Sequence, residues 1–145
     1  MELTIILVVN VLKEIQKDEY IFIPYSKLRG GLMVLQPKFY KTTNNSRELG
    51  ETLRKCIVDW ENTPFVNENP PIVYEATGIK SNSKFQKIYS QIGVTYHTVD
   101  KLYKFAHCKK SGGNFLGEYS DESIPENATD EEVGELIKKA FEQSD

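Results

Sequence analysis

Cysteine, histidine, methionine and tryptophan are all scarce in this chain of 145 residues, with two, two, two and one of them. Cys56 and Cys108 are far apart in sequence, and only His107 stands beside either of them. That spacing supports neither a zinc site nor a disulfide framework, and it predicts two reduced thiols in a cytosolic protein. Long apolar runs are also missing. The stretch from Leu3 through Val9 to Leu12 falls well short of the ~20 apolar residues that span a bilayer, and it lacks the basic start and small-residue cleavage site of a signal peptide. It reads as a buried strand or helix start, in a chain expected to stay in the cytoplasm. Excess positive charge is absent too. Eighteen basic and 21 acidic residues give a net charge of -3, so the footprint of a dedicated nucleic-acid binder is not there and nucleic acid is not the expected partner. Gly30-Gly31 and Gly112-Gly113 lack the lysine, threonine and following helix of a phosphate-cradling loop, and both read as turns.

What remains is the composition of one folded unit, with 39% hydrophobic, 27% charged and 11% aromatic residues. A chain of this size buries roughly two thirds of its unfolded surface, enough for a core without staples. Residues 1–145 are therefore read as a single domain. Within it a repeat stands out. Asn45-Ser-Arg-Glu-Leu-Gly-Glu-Thr-Leu-Arg-Lys55 aligns with Thr129-Asp-Glu-Glu-Val-Gly-Glu-Leu-Ile-Lys-Lys139 at a constant offset of 84. Each copy places a capping residue (Asn45, Thr129) three before a glutamate (Glu48, Glu132), the signature of a helix start. Leu49, Leu53, Ile57 and Trp60 then fall on one helical face, as do Val133, Ile137, Ala140 and Phe141. Glycine inside a helix costs about 1 kcal/mol against alanine, so Gly50 and Gly134 predict a close approach of each helix to a sheet.

The segments before each helix read as strands. Asp18 to Pro24 and Leu32 to Gln36 form a hairpin. Gly93 to Val99, Leu102 to Ala106 and Asn114 to Glu118 form a meander. Between the halves, Asn62 to Pro71 reads as a connector, and Phe85, Ile88, Tyr89 and Ile92 predict a short helix over Ser83 to Ile92. The expected fold is α+β: antiparallel sheets with packed helices, in two sheet-plus-helix repeats covering about 1–61 and 78–145.

Charge is the most informative feature. From Glu118 to Asp145 ten acidic side chains face two lysines, a balance of -8, and the rest of the chain carries +5. Glu118, Asp121, Glu122 and Glu126 precede the last helix, so its dipole does not account for them. They read as a carboxylate-rich loop suited to steering a basic partner. Residues Lys80 to Lys110 contribute seven lysines against Asp100 alone, interleaved with Phe85, Tyr89, Tyr96, Tyr103 and Phe105. A single-stranded nucleic acid could use such a stripe through its rings and cations, unless the rings alternate into the core. A third possibility is catalysis by His97, His107 and Cys108 from one hairpin, which needs the three to converge. Strand alternation works against it by placing His107 and Cys108 on opposite faces.

The closing Ala128-Thr-Asp-Glu-Glu-Val-Gly-Glu-Leu-Ile-Lys-Lys-Ala-Phe-Glu-Gln-Ser144, its echo Ser46-Arg-Glu-Leu-Gly-Glu-Thr-Leu-Arg54, and Gly78-Ile-Lys-Ser-Asn-Ser-Lys-Phe85 together resemble the immunity proteins of bacterial contact-dependent growth inhibition, the CdiI type. The resemblance implies a non-enzymatic cytoplasmic protein, without cofactor or metal, that binds the C-terminal toxin domain delivered by a neighbouring cell. Such toxins are often nucleases, and some family members have the Whirly fold of two sheet-plus-helix units. No binding motif carries over, because contact residues in these proteins vary with the toxin. A nuclease toxin should offer a basic cleft, and carboxylates aimed at it would imitate phosphate. On charge, the toxin-binding candidates are Glu118, Asp121, Glu122, Glu126, Asp130, Glu131 and Glu135, with Tyr119 as an aromatic anchor.

Overall fold

Alternation of apolar residues along the first strand places Leu7, Val9 and Val11 in one buried layer, and the rest of the molecule is arranged around that layer. The computed structural model describes residues 6–28, 33–62, 65–66, 72–111 and 114–143, with side chains except at 27–28, 33, 65–66, 82 and 108–122. The elements run β1 (Ile6–Glu14), β2 (Glu19–Leu28), β3 (Met33–Leu35), β4 (Tyr40–Thr42), α1 (Ser46–Asn62), β5 (Phe65–Val66), α2 (Ile72–Thr77), α3 (Asn82–Ile88), β6 (Tyr89–His97), β7 (Leu102–Ser111), β8 (Asn114–Pro125) and α4 (Asp130–Glu142). The main path of the sheet is β3-β2-β1-β6-β7-β8, with β4 and β5 also paired to β2. Every pairing is antiparallel except β2 with β5. The architecture is α+β, as the sequence predicts.

The central pairing explains the repeat. β1 meets β6 antiparallel from Ile6↔His97 to Glu14↔Tyr89, with Asn10↔Gly93 at the middle. β1 and β6 are both nine residues long and β2 and β7 both ten, and each later strand begins 83 positions after its counterpart, at 89 against 6 and at 102 against 19. The duplication seen in the helices therefore extends through the strands, and a pseudo-two-fold axis passes through the Asn10–Gly93 pair. Two sheet-plus-helix halves share one continuous sheet.

α1 and α4 both lie on one face of that sheet. Leu49, Leu53, Cys56, Ile57 and Trp60 of α1 pack with Val133, Ile137, Ala140 and Phe141 of α4 over Val9, Phe22, Val94 and Phe105. Each Leu, Ile, Val or Phe side chain among them, removed from water, contributes roughly 1.5–3 kcal/mol. The glycines act differently from the sequence expectation. A Cβ on Gly50 would stand 2.1 Å from the carbonyl oxygen of Asp130, and one on Gly134 would stand 1.8 Å from that of Ser46. The close approach is helix to helix, not helix to sheet. It is reciprocal, because Ser46 and Asp130 are themselves equivalent positions of the repeat.

On the opposite face, α2 and α3 lie over the β1–β2 hairpin and the start of β6, where Ile72, Ala76 and Phe85 pack with Leu12, Ile21, Ile23 and Tyr89. The expected helix over 83–92 is shorter. α3 stops at Ile88 and β6 starts at Tyr89, because Tyr89 and Ile92 are taken up by pairing with Glu14 and Val11. Helical spacing of apolar residues across that junction reflects two elements, not one. Likewise, the stretch that carries Glu118, Asp121 and Glu122 is strand β8 rather than loop, paired with β7 from Ser111↔Asn114 to Leu102↔Pro125 around an irregularity at Lys104/Ala106. The Gly30-Gly31 and Gly112-Gly113 turns lie outside the described residues.

Candidate binding surface

β8 is the last strand on one side of the sheet, and its end feeds the acidic start of α4. Register sets Glu118 opposite His107 and Tyr119 opposite Ala106. The side chains of Glu118, Tyr119, Asp121 and Glu122 lie outside the described residues, so their place rests on the backbone alone. The other four candidates can be followed in full.

Glu126 is exposed, and its Oε2 accepts a hydrogen bond from the Tyr96 hydroxyl. That bond to a carboxylate pushes the Tyr96 phenol up to about 12, because ionising it would bring two negative groups together. Tyr96 in turn leans on Tyr103, ring centroids 5.2 Å apart. The Glu126 amide donates to Lys101 O at 2.9 Å, which ties the loop to the β6–β7 turn. Asp130 is held by Arg54 of α1: one guanidinium nitrogen pairs with the Asp130 carboxylate, and the other donates to the carbonyls of Ala128 and, at 3.0 Å, Glu126. One arginine thus organises the whole passage from β8 to α4, using the planar fork that suits several acceptors at once.

Thr129 completes the entry with a capping box. Its hydroxyl accepts from the Glu132 amide, and the Glu132 carboxylate accepts from the Thr129 amide, each at 3.2 Å. The first copy is capped more simply, with Asn45 Oδ1 accepting from the Glu48 amide at 3.0 Å. Glu135 accepts from Ser46 Oγ, across the helix crossing, and lies 3.9 Å from Lys138 Nζ. Glu131 is exposed and lines a shallow groove of about 310 Å³ with Arg47, Thr129 and Asp130. With Asp130 and Glu132 it forms the acidic first turn of α4, where negative charge is favoured by the helix dipole.

The described candidates therefore divide. Glu126, Asp130 and Glu135 hold the loop and the helix crossing together while presenting charge, whereas Glu131 faces outward. Arg54 and Tyr96 were not among the candidates, although they fix the loop. The partners of Arg54 lie 72 to 76 positions away, beyond any local pattern. The available signal was the repeat itself, whose offset sets Arg54 against Lys138 at the cationic end of each copy.

A second groove, of about 320 Å³, runs along α1 and is lined by Tyr40, Glu51, Arg54, Lys55, Val58 and Asp59. The Tyr40 hydroxyl donates to Asp59, and Lys38 Nζ lies 3.2 Å from the same carboxylate. Its charges are mixed, and three of them are engaged from outside the groove: Glu51 by Arg47, Arg54 by Asp130 and Asp59 by Lys38.

The stripe from Lys80 to Lys110 does not form a stacking surface. Phe85, Tyr89, Tyr103 and Phe105 are 9%, 6%, 5% and 1% exposed, so four of its five rings belong to the core, and Tyr96 is engaged by Glu126. Stacking of bases needs open ring faces. Nor do the histidines converge. His97 pairs with Leu102 and Ile92 with His107, which separates the two by five strand positions, roughly 17 Å at the usual rise. They also project from opposite faces of the sheet. The Cys108 side chain lies outside the described residues. Among the described residues, no group of His, Cys, Asp and Glu could hold a metal ion and no helix is long and apolar enough to cross a membrane.

Two titrating groups give direct expectations. Cys56 is fully buried, and that burial pushes its thiol well above the usual range; reactivity follows the thiolate. In a Cys108→Ser background, the native chain should leave a thiol reagent unconsumed until denaturant opens the core. Burial, and secondarily Lys104, lower the His97 pKa from 6.5. Protons then bind the unfolded chain more readily, so stability is full above the ordinary value and falls as pH drops through it. Urea midpoints at about pH 7.5 and about pH 5.5 should differ less in His97→Gln than in the parent chain.

The fold and surface define a class: a duplicated α+β unit with one shared sheet, two helices crossing at paired glycines, and an acidic passage from the last strand into the last helix. No protein-family model matches the chain, and no curated protein does. Among solved structures, it is similar to a protein of unknown function from Neisseria meningitidis, with a TM-score of 0.71 at 11% identity over 100% of this chain and 99% of that one. It is also similar to a chain of the CdiA-CT/CdiI toxin and immunity complex from Yersinia pseudotuberculosis, with a TM-score of 0.69 at 9% identity over 98% of this chain and 99% of that one. At such identities the likeness is one of fold.

Proposed function

We propose that this chain is an immunity protein that binds and neutralises the C-terminal toxin domain of a contact-dependent growth inhibition effector. The observation that carries the reading is the end-to-end likeness to a chain of the Yersinia pseudotuberculosis toxin and immunity complex, 98% of this chain against 99% of that one. The acidic β8–α4 edge supports the same reading, since a nuclease toxin carries a basic cleft for its substrate and a carboxylate surface complements it. The chain acts by occupying its partner, in the cytoplasm, and turns nothing over. No cofactor is called for.

The test is direct. The C-terminal domain of the protein encoded by the reading frame immediately upstream of this gene is produced with and without this chain. The expected results are a stable one-to-one complex, restored growth of cells making the toxin domain, and an association rate that falls as salt rises. Growth arrest that persists despite full expression of this chain, with no complex on a sizing column, would refute the reading.

A further inference from the structure

The two halves of this chain meet as the subunits of a two-fold dimer do. In an isologous interface, a contact from position i to position j recurs from j to i, and both parts of the junction obey that rule. β1 and β6 pair about Asn10↔Gly93, so Leu7↔Tyr96 has its mirror in Lys13↔Ser90. At the helix crossing, Gly50 lies against the Asp130 backbone and Gly134 against the Ser46 backbone, and the two pairs exchange under the 84-residue offset of the repeat.

The side chains at this junction are nevertheless coded for unlike halves. Ser46 donates to Glu135, and Arg54 pairs with Asp130. Joining two second halves would place Asp130 where Ser46 stands, against Glu135, and would do so twice. Joining two first halves would leave Arg54 facing Ser46 instead of a carboxylate. First half with second half is the arrangement that satisfies these groups. In sequence the halves join between β5, which pairs with β2, and α2, which packs with α3 on Leu12, Ile21 and Ile23.

We infer that this junction can be made between two copies of the chain as well as within one, giving a reciprocal dimer in which the first half of each copy docks on the second half of the other. All junction contacts are the same in both forms, so their balance is set by the link. Covalently joined modules typically meet at an effective concentration of about 1 mM, and the dimer gains once refolding is carried out near or above that concentration.

The full-length chain is unfolded in denaturant, refolded at about 10 μM and at about 1 mM, and its mass measured in solution. Twice the monomer mass of 16.6 kDa is expected from the concentrated sample and the monomer mass from the dilute one. To identify the contact, one copy carries Ser46→Cys and the other Glu135→Cys, both with Cys108→Ser, and the two are refolded together and oxidised. A disulfide-linked pair of unlike copies is expected, and none when the copies are folded separately and then mixed. Arg54→Cys with Asp130→Cys provides a second pair should either of the first variants fail to fold. Monomer alone at both concentrations overturns the inference, and so does a doubled mass without the unlike-copy cross-link, which would mean that the copies meet elsewhere.

Discussion

Gly134→Ala should cost roughly 3 kcal/mol or more, a large part of the 5–15 kcal/mol that holds a typical domain. Two effects of opposite sign compete at this position. Helix propensity favours alanine over glycine by about 1 kcal/mol, and were the site open the substitution would stabilise. The added Cβ, however, would stand 1.8 Å from the Ser46 carbonyl oxygen, about half of an ordinary contact distance. The obstacle is backbone and cannot rotate away as a side chain could. α1 and α4 must then separate, and separation loosens the packing of Leu49, Leu53, Val133 and Ile137, which are all fully buried. Gly50→Ala should behave alike, its Cβ falling 2.1 Å from Asp130 O. Gly93→Ala is the control. Its nearest neighbour would be the Ala106 Cβ at 4.0 Å, an ordinary contact, so its urea midpoint should hold or rise slightly. A midpoint for Gly134→Ala equal to that of the parent chain would refute the clasp.

That clasp also marks how far the sequence could be read. The coincidence of Gly50 and Gly134 in a repeat is visible in the letters, and it signals that something approaches each helix. What approaches is not visible, because only the β1–β6 register brings the two halves together, and pairing across 83 positions leaves no local pattern. The helix faces, the Thr129 capping box and the α+β class follow from short-range periodicity and capping chemistry, which act within a turn or two and are therefore legible. The boundary at Ile88–Tyr89 was not, because helical spacing of Phe85, Ile88, Tyr89 and Ile92 persists by chance into a strand whose pairing overrides it. The same limit applies to the surface. Counting charges locates an acidic end, but the division of Glu126, Asp130 and Glu135 from Glu131 depends on Tyr96, Arg54 and Ser46, which lie 30, 76 and 89 positions from the carboxylates they hold.

This division determines which carboxylates can be changed to test recognition without damaging the fold. Reversing Glu126 or Asp130 would remove the Tyr96 bond or the Arg54 clasp, and any loss of binding could be a loss of structure. Asp121→Lys, Glu122→Lys and Glu131→Lys together alter the edge strand and the outward face of α4, and shift the net charge from -3 to +3. If the partner is a cationic toxin domain, long-range attraction becomes repulsion. Steering of this kind accounts for roughly 10- to 1,000-fold in association rate, so at low salt the triple variant should associate at least about tenfold more slowly. Its dissociation rate should change less, because rim charges act mainly on encounter. The sign of the salt dependence separates the explanations. Added salt should slow the parent chain and speed the variant, as the Debye length contracts toward ~8 Å at physiological ionic strength. Stopped-flow or surface-based kinetics at several salt concentrations, with the thermal midpoint of the variant as a check on its fold, provide the measurement. Equal association rates for parent and variant at low salt would remove the acidic edge from the recognition surface and transfer the search to the mixed-charge groove of Tyr40, Lys55 and Val58.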